Sequence, residues 1–91
     1  MTNTLKLKSM PYAQCSVIFT SECIQLKSYN TIVLELTYDG WLSVYGLYSM
    51  TTRKHISAFM REYTNFDYYT AKSAFENNYD INLQTGEILE K

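Results

Sequence analysis

Between Glu22 and Tyr48, apolar and polar positions alternate in three runs: Glu22–Lys27, Thr31–Tyr38 and Trp41–Tyr48. Ser28-Tyr29-Asn30 and Asp39-Gly40 interrupt them. A period of two marks strands with one buried face. Asp-Gly between apolar runs is a strong hairpin signal, because a type I′ turn needs φ > 0 at both central residues. A two-residue turn there sets Tyr38 opposite Trp41, Leu36 opposite Ser43, Leu34 opposite Tyr45 and Ile32 opposite Leu47. A three-residue reversal at 28–30 pairs Leu26 with Ile32 and Ile24 with Leu34. Together the two turns gather Ile24, Leu26, Ile32, Leu34, Leu36, Tyr38, Trp41, Tyr45 and Leu47 on one apolar face. The opposite face is half polar, but it also carries Leu42, Val44 and Tyr48.

After Tyr48 the period becomes helical. Ser49, Thr51 and Thr52 are N-cap candidates, and Ile56, Phe59, Met60 and Tyr63 recur at helical spacing, predicting a helix from Met50 to Tyr63. Asp67 caps a second, shorter helix with Tyr68, Ala71, Ala74 and Phe75 on its apolar side, ending near Asn77-Asn78. The tail alternates at Ile81 and Leu83, turns at Gln84-Thr85-Gly86 and resumes at Ile88, as a short strand or hairpin. Ser16–Thr20 reads as a first strand, and residues 1–14, with Pro11, read as a polar irregular lead. The expected architecture is α+β: one domain over 1–91, an antiparallel meander of three or four strands with both helices packed on one face.

Composition narrows the function classes. Ninety-one residues suffice for one core, and 46% hydrophobic with 19% charged residues is a globular balance. A net charge of −1 argues against general DNA binding. That value hides an asymmetry: six basic and three acidic residues in 1–61, against two basic and six acidic in 62–91. No apolar run approaches the ~20 residues of a membrane span, and the N-terminal stretch lacks the apolar core of a signal peptide. Two cysteines, Cys15 and Cys23, are too few for a secreted disulfide scaffold, so a cytoplasmic protein with reduced thiols is expected. A chain reversal at Phe19 would instead bring the two opposite each other and permit a disulfide.

There is no phosphate loop, CxxC, HExxH or nucleophile elbow, and His55, the single histidine, has no distinctive partner spacing; no enzyme activity is expected. No cofactor is expected either. Cys15, Cys23 and His55 are an alternative zinc set, although a spacing of eight between the cysteines is not a zinc-ligand spacing, and buried, inert thiols are the simpler reading. Ser49, Thr51, Thr52, Arg53, Lys54 and His55 place hydroxyls and cations around the free N–H groups of a helix start, which suits a phosphate or a partner's carboxylate. The competing reading is a capped, solvated first turn whose cations pair with Glu22, Glu35 or the acidic tail. Nine tyrosines raise the aromatic share to 15%. Tyr38, Trp41 and Tyr45 are assigned to the core; Tyr29 and Tyr48, with Leu42 and Val44, form a candidate interface.

Lys27-Ser28-Tyr29-Asn30-Thr31-Ile32-Val33, followed by Tyr48-Ser49-Met50-Thr51-Thr52-Arg53-Lys54-His55-Ile56 and Phe59, resembles a family of small, uncharacterised proteins of phages and prophages of Gram-positive bacteria. The likeness covers residues 27–63, with a weaker echo over Asn82–Ile88. It implies a context in which small proteins bind host factors, inhibitors of CRISPR nucleases among them. The expectation is a non-enzymatic anti-defence protein that binds a host protein, such as a Cas nuclease, in the bacterial cytoplasm. Two alternatives differ in class: a phosphate, nucleotide or nucleic-acid module using the helix start at 51–55, and a structural or regulatory homodimer joined through the outer sheet face.

Overall fold

The computed structural model describes residues 3–91. Seven strands, β1 (Asn3–Leu5), β2 (Cys15–Phe19), β3 (Cys23–Ser28), β4 (Thr31–Thr37), β5 (Trp41–Val44), β6 (Tyr79–Asn82) and β7 (Ile88–Glu90), form one antiparallel sheet in chain order. Helices α1 (Met50–Tyr63) and α2 (Tyr68–Glu76) are inserted between β5 and β6 and cover one face. The α+β character agrees with the sequence, but the meander of three or four strands does not. β1 forms within the stretch expected to be irregular, and the C-terminal hairpin joins the sheet through Trp41↔Asn82 and Leu42↔Ile81. That pairing spans the whole helical insertion, so no local pattern announces it. Within the lead, Leu7 is fully buried, and the Glu62 carboxylate of α1 accepts the Lys8 and Ser9 N–H groups at 2.7 and 3.0 Å.

Both turns of the meander differ by one residue from expectation. Gly40 N–H donates to the Thr37 carbonyl at 3.0 Å, so the loop is Tyr38-Asp39-Gly40, with positive φ at Gly40 (105°) and not at Asp39. Thr37 Oγ1 closes it by donating to the Asp39 carboxylate and accepting the Trp41 N–H at 2.9 Å. This is the three-residue hairpin loop that ends in a glycine bulge. Leu36 therefore pairs with Leu42 and Leu34 with Val44. Every β5 side chain changes face: Leu42 and Val44 enter the core and Trp41 becomes half-buried, and Tyr45, just beyond the strand, is exposed.

The first turn is shorter than expected, Tyr29-Asn30, with Tyr29 at φ 54°. A bulge then compensates. Lys27 pairs with Ile32 but Leu26 with Leu34, leaving Val33 as the extra residue. Val33 is buried, and its carbonyl accepts the Tyr45 N–H at 2.8 Å. The core joins Val17, Leu26, Leu34, Leu36 and Leu42 to Ile56, Phe59, Met60 and Ala71. Among the described residues, no helix lies over the other sheet face. On it Glu35 accepts from Gln25 Nε2 at 2.6 Å and from the Tyr45 hydroxyl. Tyr38, expected inside, is exposed, with its hydroxyl donating to the Thr20 carbonyl at 2.7 Å. No helix among the described residues is long and apolar enough to cross a membrane.

Candidate functional site

Both helices start where their caps allow. Ser49 is the N-cap of α1, its hydroxyl accepting the Thr52 N–H at 3.2 Å, and Asp67 caps α2 by accepting from the N–H groups of Tyr69 and Thr70. Helical spacing then splits the six residues of the expected anion site. Ser49, Thr51, Arg53 and Lys54 are exposed, whereas Thr52 and His55 are 3% and 1% exposed. The inward pair meets the end of β3: Ser28 Oγ lies 3.0 Å from Thr52 Oγ1 and 2.8 Å from His55 Nδ1. The Tyr29 ring, held at positive φ in the turn, packs at 5.9 Å from the imidazole. His55 Nε2 is buried without a hydrogen-bond partner, and burial lowers the imidazole pKa below its ordinary value. His55 is thus a neutral strut between α1 and the sheet, and the two stretches 27–33 and 48–59 meet in this cluster.

Of the outward residues, Arg53 and Lys54 face a groove between the helices, and Ser49 and Thr51 do not line it. Met50, Arg53, Lys54 and Ser57 of α1, at spacings of three, four and seven, form one wall; Tyr68, Tyr69 and Lys72 of α2 form the other. Met50 and Tyr69 are 71% and 69% exposed. The Tyr68 and Tyr69 rings meet edge-on at 5.6 Å, and Lys72 also reaches Glu76 at 3.6 Å. The first turn of α1 contains no acidic residue. Arg53 and Lys54 were singled out from the sequence, and Tyr69 stood among the tyrosines with a weak claim to the core, but Met50 and Lys72 were not. Their signal is the helical spacing of the faces opposite the buried ones, read on both helices at once.

The remaining candidates are dispersed. Tyr29 and Tyr48 are exposed, at 52% and 63%. Tyr48, at φ 45°, lays its ring over Gly46, where an added Cβ would come within 2.3 Å of it. Leu42 and Val44 are buried beneath the helices and offer no surface. An interface or homodimer on the outer sheet face would instead meet Trp41, Ser43 and Tyr45. Cys15 and Cys23 are both free thiols. Cys15 is on the core face opposite Ser28, while Cys23 is on the open face, its thiol 3.6 Å from Glu35. The chain reverses after Thr20, not at Phe19, so the cysteines are not cross-strand neighbours. Burial is the leading influence that raises both thiol pKa values. With its members on opposite sheet faces, the set Cys15, Cys23 and His55 is not assembled, and no cluster of three ligating side chains is present among the described residues.

No curated protein and no solved structure matches the chain significantly. Residues 2–77 match DUF8033, a family of unknown function. The match takes in β1 through α2 and ends before β6. With well over half its length matched, this chain belongs to the DUF8033 family.

Proposed function

We propose that the protein is a non-enzymatic binding protein that acts by occupying a surface of a protein partner, with the α1–α2 groove as its contact. The observation that carries this reading is the adjacency of two highly exposed anchors, Met50 and Tyr69, with Arg53, Lys54 and Lys72. Flexible thioether and rigid aromatic anchors ringed by cations suit an acidic protein surface with an apolar residue at its centre. The resemblance to phage proteins makes a host defence complex, a CRISPR nuclease first, the partner class to assay.

The test is inhibition of purified Cas nucleases by the wild-type protein and by Tyr69→Ala and Arg53→Glu. Loss of inhibition in both folded variants supports the reading. Absence of inhibition by wild type overturns the anti-defence role, and inhibition untouched by both variants overturns the groove. A second reading has support in the same place. Edge-on tyrosines beside three cations are also the furniture of a single-strand binding groove, where bases stack and cations track phosphates. Salt-sensitive binding of a fluorescent oligonucleotide, abolished by Arg53→Ala with Lys54→Ala, would favour it.

A further inference from the structure

Among the described residues, β7 is the last strand of the sheet, with no strand on its far side. Sheet edges in stable monomers are usually blunted by inward charges, proline or a covering loop. Here successive residues Ile88 and Leu89 are 54% and 60% exposed, one on each face. The phase of the ladder is defined by two bonds: Lys91 N–H donates to the Asn78 carbonyl at 3.0 Å, and Asn82 N–H to the Glu87 carbonyl at 2.8 Å. In an antiparallel ladder, alternate residues direct both backbone groups to the same side. Glu87, Leu89 and Lys91 therefore face β6, and the N–H and C=O groups of Ile88 and Glu90 point outward.

We propose that β7 pairs antiparallel with β7 of a second copy of this chain, about a two-fold axis at Leu89. In that register Ile88 exchanges both backbone bonds with the partner's Glu90, and Glu90 with the partner's Ile88. Leu89 meets the partner's Leu89 on the open face. Glu87 falls opposite the partner's Lys91, so the segment Glu87-Ile88-Leu89-Glu90-Lys91 is complementary in charge to itself when antiparallel. Lys91 is already held on the open face, 3.3 Å from Asp80 and 5.5 Å above the Tyr45 ring. Shifting the axis to Glu90 would oppose two glutamates, and shifting it to Ile88 would run into the loop at Gly86. The contact is independent of the α1–α2 groove and lies beyond the stretch matched to the family.

The test is the mass of the full chain by sedimentation and light scattering over about 1–500 µM, the range where a small interface associates. The mass should rise from 10.7 kDa towards twice that value and stop there, because a two-fold contact closes. Glu90→Pro removes an outward N–H without touching the ladder to β6, and should weaken association at least ~10-fold. Glu87→Lys and Lys91→Glu each oppose like charges twice, and each should weaken it about 10-fold. Mixing these two variants sets unlike charges opposite each other again at both ends of the contact. A heterodimer should then form, which a merely damaged strand would not allow. A monomer throughout, growth beyond a dimer, a dimer indifferent to Glu90→Pro, or no rescue on mixing would each overturn the proposal.

Discussion

Ser28 is the hub of the cluster joining α1 to the sheet, and Ser28→Ala tests its weight. The substitution removes the partner of His55 Nδ1 at 2.8 Å and of Thr52 Oγ1 at 3.0 Å, both in residues almost wholly enclosed. Thr52 keeps a second neighbour, the Ser49 hydroxyl at 3.3 Å, but the imidazole is left with neither nitrogen bonded. Stranding a buried polar group costs about 1–3 kcal/mol, so a loss of about 2 kcal/mol is expected. That is a large share of the ~5–10 kcal/mol typical of such a domain. Urea unfolding at pH 7.5 measures it as a lower midpoint at unchanged slope. A cycle with His55→Leu should give a coupling of about 1 kcal/mol, since removing both partners spares the stranded group.

The same cluster sets a pH dependence. His55 has its folded pKa below the unfolded value of about 6.5. The unfolded chain therefore binds the extra proton first. The contribution of His55 is complete above pH ~6.5 and is lost as pH falls towards the folded pKa, at up to about 1.4 kcal/mol per unit. His55→Leu should flatten this slope. A Ser28→Ala loss below about 0.5 kcal/mol, with the acid slope unchanged in His55→Leu, would refute the account.

The remaining predictions follow from burial, backbone and charge. Leu42→Ala should cost about 3 kcal/mol of unfolding free energy and Tyr45→Ala under about 1 kcal/mol, because only Leu42 faces the core; the reverse order would refute the observed register. Gly40→Ala should cost about 1–3 kcal/mol by denaturant titration, since φ is +105° and the new Cβ would lie 2.7 Å from Asn82 Oδ1. Partial burial would raise the Glu62 pKa, but the Ser9 hydroxyl and the Ser9 and Lys8 N–H groups outweigh it and lower it. Its contribution is therefore present above the unfolded carboxylate range and lost as pH falls through the folded pKa. Glu62→Gln should remove that acid-side slope, at a cost of about 1 kcal/mol at pH 7.

What the sequence determined was local. Helical periodicity and the cap candidates, Ser49 among them with Asp67, placed α1 at its observed bounds and α2 to within a residue or two, and a strand or hairpin in the tail was legible from its alternation and turn residues. Tertiary structure decided the rest, for two reasons. Strand register depends on one residue in a turn: Asp39-Gly40 suits a two-residue loop, but the Thr37 side chain stabilises a three-residue one, which moves Leu42 and Val44 inside. The sheet's extent depends on pairings such as Leu42↔Ile81, whose partners share no sequence neighbourhood. The site followed the same division. The sequence showed Arg53, Lys54, Thr52 and His55 together, but the 3.6-residue turn sent two outward and two inward. Only packing supplied their neighbours, Tyr69 and Lys72 on one side and Ser28 on the other.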